Sequence, residues 1–415
     1  MKKNSVLYFI LILLFANWQM SNALLKPEAL IASKANSVST INHKKYLSDE
    51  VVNIKIFSQI KVQSFSFSKE QGTYSVWANG VEVANTTNFP LIKITYINDS
   101  IEVKTFENVI GVYKRVKISS SEPQHSFRLK LISPDRKPRF YEDNLIIDVE
   151  AGSLKCLNEI VLDNYIAGVV QAESGRRAFQ EFYKVQAILA RTFALSHLQK
   201  HTLEGYSLCD HTHCQAYFGK TTELEIMKAV TETKGKVVVD ANLNLIDAAF
   251  HSNSGGQTAN SEDVWGSRLP YLRSVNDTFS TKMPNARWER KMAKEDWLSY
   301  LKLKHNYPVQ DSNARWVAIT FKQDVRKPYL EANNVRVPLK SVRSDLQLKS
   351  TFFTIIPQGD TLLFKGRGFG HGVGMCQEGA MRMAKLGYNY TDVINFYYKN
   401  IQLIDLHKLN FFKDE

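Results

Sequence analysis

The sequence predicts an α+β fold, with a β-rich N-terminal region followed by a mixed α+β unit. Two observations carry that expectation. Between Val51 and about Val149 apolar and polar residues alternate, the period of a half-buried strand, and two-residue turn signals punctuate the run. From about residue 155 the apolar residues recur instead at helical spacing. In the first region Ile101 and Val103, Val116 and Ile118, and Phe127, Leu129 and Leu131 mark strands. Asn79-Gly80 is a strong hairpin signal, and Asn98-Asp99 sits between two further strand-like runs. Asp163 is placed to cap a short helix on which Tyr165, Ile166, Val169 and Val170 share a face. A second helix is expected over residues 177–199. Its stretch from Val185 to Leu195 is apolar almost all round, interrupted by Gln186, Arg191 and Thr192. Such a helix belongs inside a domain, and an arginine buried there needs a partner. Residues 222–250 read as a helix and two strands. Residues 285–365 read as a helix around Trp297 followed by strands, including 316–321 and 352–356. Two helices close the pattern at 377–386 and 391–398, with Gly387 as the C-cap between them.

The domain organisation expected from these elements is a signal peptide at 1–23, a flexible leader at 24–50 and a β-rich domain at 51–149. A second domain covers 150–403, and a tail 404–415. Lys2 and Lys3, the apolar block from Val6 to Ala16 and the small-residue end Ser21-Asn22-Ala23 have the tripartite form of a secretory signal. The mature chain is therefore expected in the periplasm or cell envelope. No apolar run reaches the roughly 18 residues of a spanning helix, which excludes a polytopic membrane protein. With 44% hydrophobic and 23% charged residues over 415, composition is that of a globular protein and excludes wholesale disorder. Net charge is +12, or +10 once the signal is removed, which favours polyanionic partners. For an exported chain that anion is cell-wall polymer or a membrane surface rather than nucleic acid.

Four constellations can carry chemistry. Glu173, in Val170-Gln171-Ala172-Glu173-Ser174-Gly175, sits at the junction of the first two helices. Buried beside apolar neighbours its carboxyl would be a general acid; otherwise it is a helix-dipole or capping residue. Second, four of the ten His and two of the four Cys fall between His197 and Cys214. Cys209, His213 and Cys214, with His201 from the end of the long helix, offer the two thiolates and two imidazoles that a closed tetrahedral zinc site uses. A disulfide between Cys209 and Cys214 is the competing reading for an exported protein. The last two are glycine-rich: residues 251–258, which lack the lysine of a phosphate-binding loop, and residues 366–377, whose glycines precede a helix. The second resembles a dinucleotide fingerprint only loosely, so no organic cofactor is expected. A thiol–imidazole pairing of Cys376 with His371 is a weaker alternative there.

Together these segments resemble the SpoIID/LytB family of bacterial cell-wall proteins. The resemblance runs from Asn164-Tyr165-Ile166-Ala167-Gly168-Val169-Val170 and Glu173 through residues 184–195 and Cys209 to Tyr217. It continues through Ser254-Gly255-Gly256-Gln257-Thr258, Val264-Trp265-Gly266 and residues 270–275 to Gly366–Met375. It implies a lytic transglycosylase acting on the β-1,4 bond between N-acetylmuramic acid and N-acetylglucosamine in peptidoglycan, especially strands stripped of stem peptides. Glu173 takes the position of the catalytic acid. Arg191 would support that acid or bind a sugar carboxyl, with internal pairing as the alternative. Tyr271 and Arg273, read as alternating along a strand, would stack on a sugar and pair with a lactyl carboxylate. His371 and Gln377 would line the glycine-rich wall. Zinc-binding relatives share the loop holding His201, Cys209, His213 and Cys214. Some relatives are described as enhancers of wall amidases, so a glycan-binding enhancer partnering an amidase is the alternative function. Ser174 to Arg177, Cys376 and Cys156 depart from the family pattern.

Overall fold

The computed structural model describes residues 50–406; the expected signal peptide and nearly all of the leader, with residues 407–415 of the tail, lie outside them. The alternating segment folds into two sheets. One has seven strands in the order Leu208–Cys209, Val51–Ile56, Ser153–Val161, Asn144–Glu150, Val116–Ser119, Ser75–Ala78, Val81–Asn85. The other has six, in the order Arg139–Glu142, Ser126–Ser133, Ser64–Gln71, Leu91–Ile97, Ser100–Lys104, Val109–Tyr113. Their apolar faces merge in one core. Ile54, Ile118, Leu145 and Ile147 come from the first sheet and Phe65, Phe67, Ile92, Phe127 and Leu129 from the second, all fully buried. Phe67 stacks on Phe127 at 5.1 Å, and Tyr74 meets both rings edge-on. Both expected turns form. Asn79 and Gly80 join paired Ala78 and Val81, and Asn98 and Asp99 join paired Ile97 and Ser100; all four central residues have positive φ, which matches the twist of the flanking strands.

The boundary expected at residue 150 falls in the turn of a hairpin, where Glu150 pairs with Ser153. The second strand of that hairpin, Ser153–Val161, runs directly into helix α1, Leu162–Ser174. The sheets and the helices after them therefore share one hydrophobic core. Val161, not Asp163, is the N-cap of α1, and no side chain caps it. Asp163 points across to α2, Gln180–Ser196, which is shorter at both ends than expected.

The three polar interruptions of α2 each bind a different neighbour. Arg191 is 1% exposed; its Nη2 and Nε donate to Asp163 Oδ1 at 2.9 and 3.2 Å. Its Nη1 donates to the Thr233 carbonyl at 2.9 Å, which ties in helix α3, Leu224–Glu232, and the strand Lys236–Asp240 after it. Thr192 Oγ1 accepts from Val238 N in that strand. Gln186 reaches the C-terminal helices, described below. A short helix α4, Ser261–Trp265, follows.

Residues 287–367 build a second, smaller core on a three-stranded sheet formed by Arg287–Ala293, Thr361–Arg367 and Phe353–Gln358. Helices α5, Lys294–His305, α6, Ser312–Ile319, and α7, Leu339–Asp345, cover it around buried Trp297, Phe353 and Phe364. The strand expected at 316–321 is instead largely the end of α6. Asp311 caps that helix by accepting from Ala314 N, and the buried positions Ala314 and Ala318 are four apart, a helical face that the apparent alternation hid. The expected C-terminal helices form as α8, Gln377–Lys385, and α9, Tyr390–Tyr397, with Gly387 N donating to the Ala384 carbonyl between them. Among the described residues no helix is long and apolar enough to cross a membrane.

Replacing Asp163 by Ala leaves the Arg191 cation buried without its counter-charge, which costs about 3 kcal/mol or more. Urea unfolding of Asp163→Ala is expected to shift by that amount. A change below about 1 kcal/mol would show that the backbone carbonyls alone satisfy Arg191.

Candidate functional site

Three separate stretches of chain converge on Glu173. The residue lies in the last turn of α1, at the negative end of that helix. It is half-buried, and burial pushes its carboxyl above the usual 4.5, opposed by the backbone N–H of Ala216, which donates to Oε1 at 3.0 Å. Gln377, the first residue of α8, donates from Nε2 to the Glu173 carbonyl at 3.2 Å and to Gln186 Oε1 at 3.0 Å. Gln377, expected on the glycine-rich wall, is thus bonded to the backbone of the acid.

Ala216 belongs to a loop that begins as Leu208–Cys209 on the edge of the large sheet, paired in parallel with Ile54 and Lys55. Three donors of this loop gather with His201, which lies five residues beyond α2 rather than at its end. One ligand atom each from His201, Cys209, His213 and Cys214 lies within 4.8 Å of the others. Cys214 Sγ is 3.4 Å from His201 Nε2, and His213 Nδ1 is 3.8 Å from each sulfur. A tetrahedral centre with the usual zinc–sulfur and zinc–nitrogen lengths holds such atoms about 3.6 Å apart, so the donor set fits a metal ion. His201 Nδ1 also meets the Glu204 carboxylate, the outer contact that orients a ligating imidazole. Both cysteines are free thiols. Hydrogen bonding from Cys214 and His213 holds the Cys209 thiol far below its ordinary range, down to about 4, and the same contact pushes Cys214 up.

The loop then returns to α1. Tyr165 Oη bonds Gln215 Oε1, and Thr221 Oγ1 bonds Gln171 Oε1. Gly168 permits this packing, because a Cβ there would stand 2.5 Å from both the Gly219 carbonyl and the Tyr217 ring. The spacing between Cys214 and Ala216 is two residues, so the same backbone segment serves the metal-type cluster and the acid.

The other expected site residues lie elsewhere. Arg191 has every donor engaged by Asp163 and backbone carbonyls and is buried, so it cannot reach a sugar; its part in the site is to lock α1, which carries Glu173. Tyr271 and Arg273 are in turn and coil, not on an alternating strand. Tyr271 is 8% exposed and its Oη accepts from Asp247 N; Arg273 forms a two-pronged pair with Glu262, whose carboxyl it holds down at about 2. His371 does lie on the glycine-rich wall, its ring 5.3 Å from that of half-exposed Trp265. Its Nε2 donates to the Phe250 carbonyl while Nδ1 accepts from Val373 N, and burial pushes it down to about 4, so it is neutral. Cys376 is no nucleophile: it is buried, caps α8 by accepting from Gly379 N, and burial pushes its thiol well up. Three contributors escaped sequence reasoning. Gln186 was visible as a polar break in an apolar helix and Trp265 as a motif residue, but the Ala216 amide left no side-chain signal.

The sequence profile of the family described as Stage II sporulation protein, SpoIID, matches residues 150–239. The chain is 30% identical over 264 residues to Stage II sporulation protein D of Bacillus subtilis (strain 168), covering 60% of this chain and 75% of that protein. It is 29% identical over 283 residues to the protein of the same name from Bacillus amyloliquefaciens, 64% of this chain and 81% of that one. It is also similar to the Amidase enhancer of B. subtilis (strain 168), at 27% over 291 residues, 57% of this chain and 40% of the enhancer.

Cys214→Ser removes one thiolate from the four-donor set. Elemental analysis of the purified protein is expected to fall from about one divalent ion per chain to well under half. The melting temperature should fall with it, because metal binding and loop folding are linked. Unchanged metal content would assign the cluster to thiol–imidazole hydrogen bonding alone.

Acid is expected to destabilise the protein through His371. An unfolded histidine takes up a proton below about 6.5, whereas the partly buried His371 does so only near 4, so stability is full above 6.5 and is lost as pH falls towards 4. The melting temperature of His371→Gln, which keeps an Nε2 donor, should fall less steeply between pH 6.5 and 4.5. An identical slope would place the acid lability elsewhere.

Proposed function

The chain belongs to the SpoIID/LytB family, with a role at the bacterial cell wall, and from that premise we propose that it is an exported lytic transglycosylase of peptidoglycan, working on the cell-envelope side of the membrane. Its substrate is the glycan strand, and its reaction is cleavage of the bond from N-acetylmuramic acid to N-acetylglucosamine. The observation that carries this reading is the environment of Glu173. One half-buried carboxyl is kept protonated to higher pH by burial, yet carries an amide donor on Oε1 that stabilises the anion.

The steps follow from that balance. Glu173, protonated, gives its proton to the bridging oxygen as the glycosidic bond breaks. The carboxylate left behind, held by the Ala216 N–H, takes the proton from the O6 hydroxyl of the muramic acid. That oxygen closes on its own anomeric carbon and leaves a 1,6-anhydro end. Hydrolases need a second carboxylate to activate water or to attack; attack from within the sugar removes that need. Gln377 holds the backbone of Glu173 from the α8 side, and Arg191 fixes α1 from within. Trp265 beside His371 offers a half-exposed aromatic face on which a sugar ring can stack.

His201, Cys209, His213 and Cys214 would hold a zinc ion, for which two thiolates and two imidazoles are the preferred donors. Four protein ligands leave no place for a reacting water, so the ion supplies structure, fixing the loop that carries Ala216. The second reading, a glycan-binding partner of a cell-wall amidase, is favoured by the similarity to the Amidase enhancer. It requires no half-buried acid, and Glu173 weighs against it.

Two outcomes are expected. On strands stripped of stem peptides, the protein should release anhydro-ended fragments, and Glu173→Gln should lose about 10³-fold or more in kcat, since one group serves as both acid and base. Binding without any fragments from the unmodified protein would favour the amidase partner. Because the acid form is the active one in the first step, kcat/KM should fall as pH rises through the Glu173 pKa, with a midpoint above the usual 4.5. A rate still rising at neutral pH would contradict that assignment.

A further inference from the structure

An excess of unpaired positive charge lies along the seam between the glycine-rich loops and the smaller core. Arg287, Arg326, Arg343 and Arg367 come from the strand before α5, the coil before the 329–338 hairpin, α7, and the strand that enters residues 366–377. Among the described residues no ion pair reaches any of the four. Arg326 is held by neutral oxygens: its Nε donates to the Gln257 carbonyl at 2.6 Å, Nη2 to the Ser254 carbonyl at 2.7 Å and Nη1 to Thr351 Oγ1. Arg367 Nη2 donates to the Gln323 carbonyl at 2.7 Å. Both guanidinium groups rest against the ring of buried Phe352, at 3.6 Å for Arg367 and 4.9 Å for Arg326. Burial and the charge of Arg367 both disfavour the cation on Arg326, and burial does the same for Arg367 and Arg343. Cations taken out of water are ordinarily matched by a buried anion, and here the carboxylate acting on Arg367 is that of exposed Asp324, which also pairs with Lys322.

A cavity of about 290 Å³ opens at this cluster, walled by Arg287, Arg367, Phe352, Asn276 and the backbone of Gly255 and Gly256. Arg287 and Arg367 are directly paired across their two strands. Gly255 lets its loop close on this wall, because a Cβ there would stand 2.6 Å from the Arg367 backbone. The single carboxylate on the rim, Asp324, is solvent-exposed and pairs with Lys322 at 3.3 Å. The cavity is joined to the acid through few residues. Asn253, two before Gly255, donates to Glu378 Oε2, and Glu378 follows Gln377, which holds Glu173.

We propose that this cavity is an anion subsite that takes a free lactyl carboxylate of the glycan strand, with Arg287 and Arg367 as the residues that read it. The inference rests on the reading of peptidoglycan as substrate. A lactyl group bearing a stem peptide is an uncharged amide, whereas a stripped one is a carboxylate, the group a planar guanidinium pairs with best. Arg273, which the sequence offered for that carboxylate, is taken by Glu262. The subsite therefore makes stem-peptide removal a condition of tight binding rather than of the chemistry.

Binding is measured on the Glu173→Gln protein, which leaves strands uncut, by co-sedimentation and calorimetry. Three ligands are compared: stripped strands, stripped strands with lactyl carboxylates reduced to alcohols, and strands with stem peptides intact. Stripped strands are expected to bind about tenfold more tightly than either of the others, the value of one charged hydrogen-bonded contact. Adding Arg287→Gln, an exposed position that leaves the fold intact, or Arg367→Gln should remove most of that advantage while leaving binding of reduced strands unchanged. Arg287→Lys should restore part of it. Equal binding of stripped and reduced strands, or variants that weaken both alike, would overturn the subsite. Cleavage by the unmodified protein is scored separately: anhydro products without carboxylate dependence would sink the subsite alone, and carboxylate-dependent binding without cleavage would sink the transglycosylase and leave the subsite standing.

Discussion

The guanidinium of Arg191 joins elements that have nothing in common in the sequence: it bonds Asp163 at the start of α1 from the middle of α2 and caps the turn between α3 and its following strand. A buried cation is costly unless every donor is met, and here every donor is, so α1 has one admissible position against α2. Glu173 is ten residues beyond Asp163 on the same helix, so the direction of its carboxyl is set by a contact at the opposite end. A rigid helix is a more accurate carrier for such a group than a loop.

What the helix delivers, the Cys and His loop completes. Its first residues are stitched to the large sheet beside Ile54 and Lys55, its Cys209, His213 and Cys214 gather with His201, and two residues after Cys214 it presents the Ala216 amide to Glu173. The N-terminal sheets are thereby part of the site's support. This is also why the chain does not divide near residue 150: the strand that ends in α1 and the strand that opens the loop both belong to the same sheet.

Much of this was legible in the chain. Alternation, with Asn-Gly at one turn and Asn-Asp at the other, gave the strands and both hairpins, and the four-donor cluster followed from the crowding of His and Cys between residues 197 and 214. That α2 carried a buried arginine in need of a partner was also readable. Its partner was not, because Asp163 looked like a helix cap and pairing at a separation of 28 residues depends on how two helices cross. Residues 316–321 were misread because two small buried alanines four apart give a faint helical signal beside Trp, Val and Ile. Tyr271 and Arg273 were misplaced for a related reason: two residues in i, i+2 spacing suggest a strand, but Glu262 and Asp247 bind them in a folded coil. The arginine cluster could not be read at all, since its members are spread over 80 residues and meet only in the fold.

In the proposed reaction one carboxyl group does the work that two do in hydrolases, with the sugar's own O6 in place of water. Cleavage of stripped strands in ¹⁸O-enriched water, followed by mass analysis of the new ends, tests that most directly. Anhydro-muramic ends containing no heavy oxygen are expected. Reducing ends that carry one ¹⁸O would contradict it, since water would then be the attacking group and Glu173 would need a second carboxylate beside it.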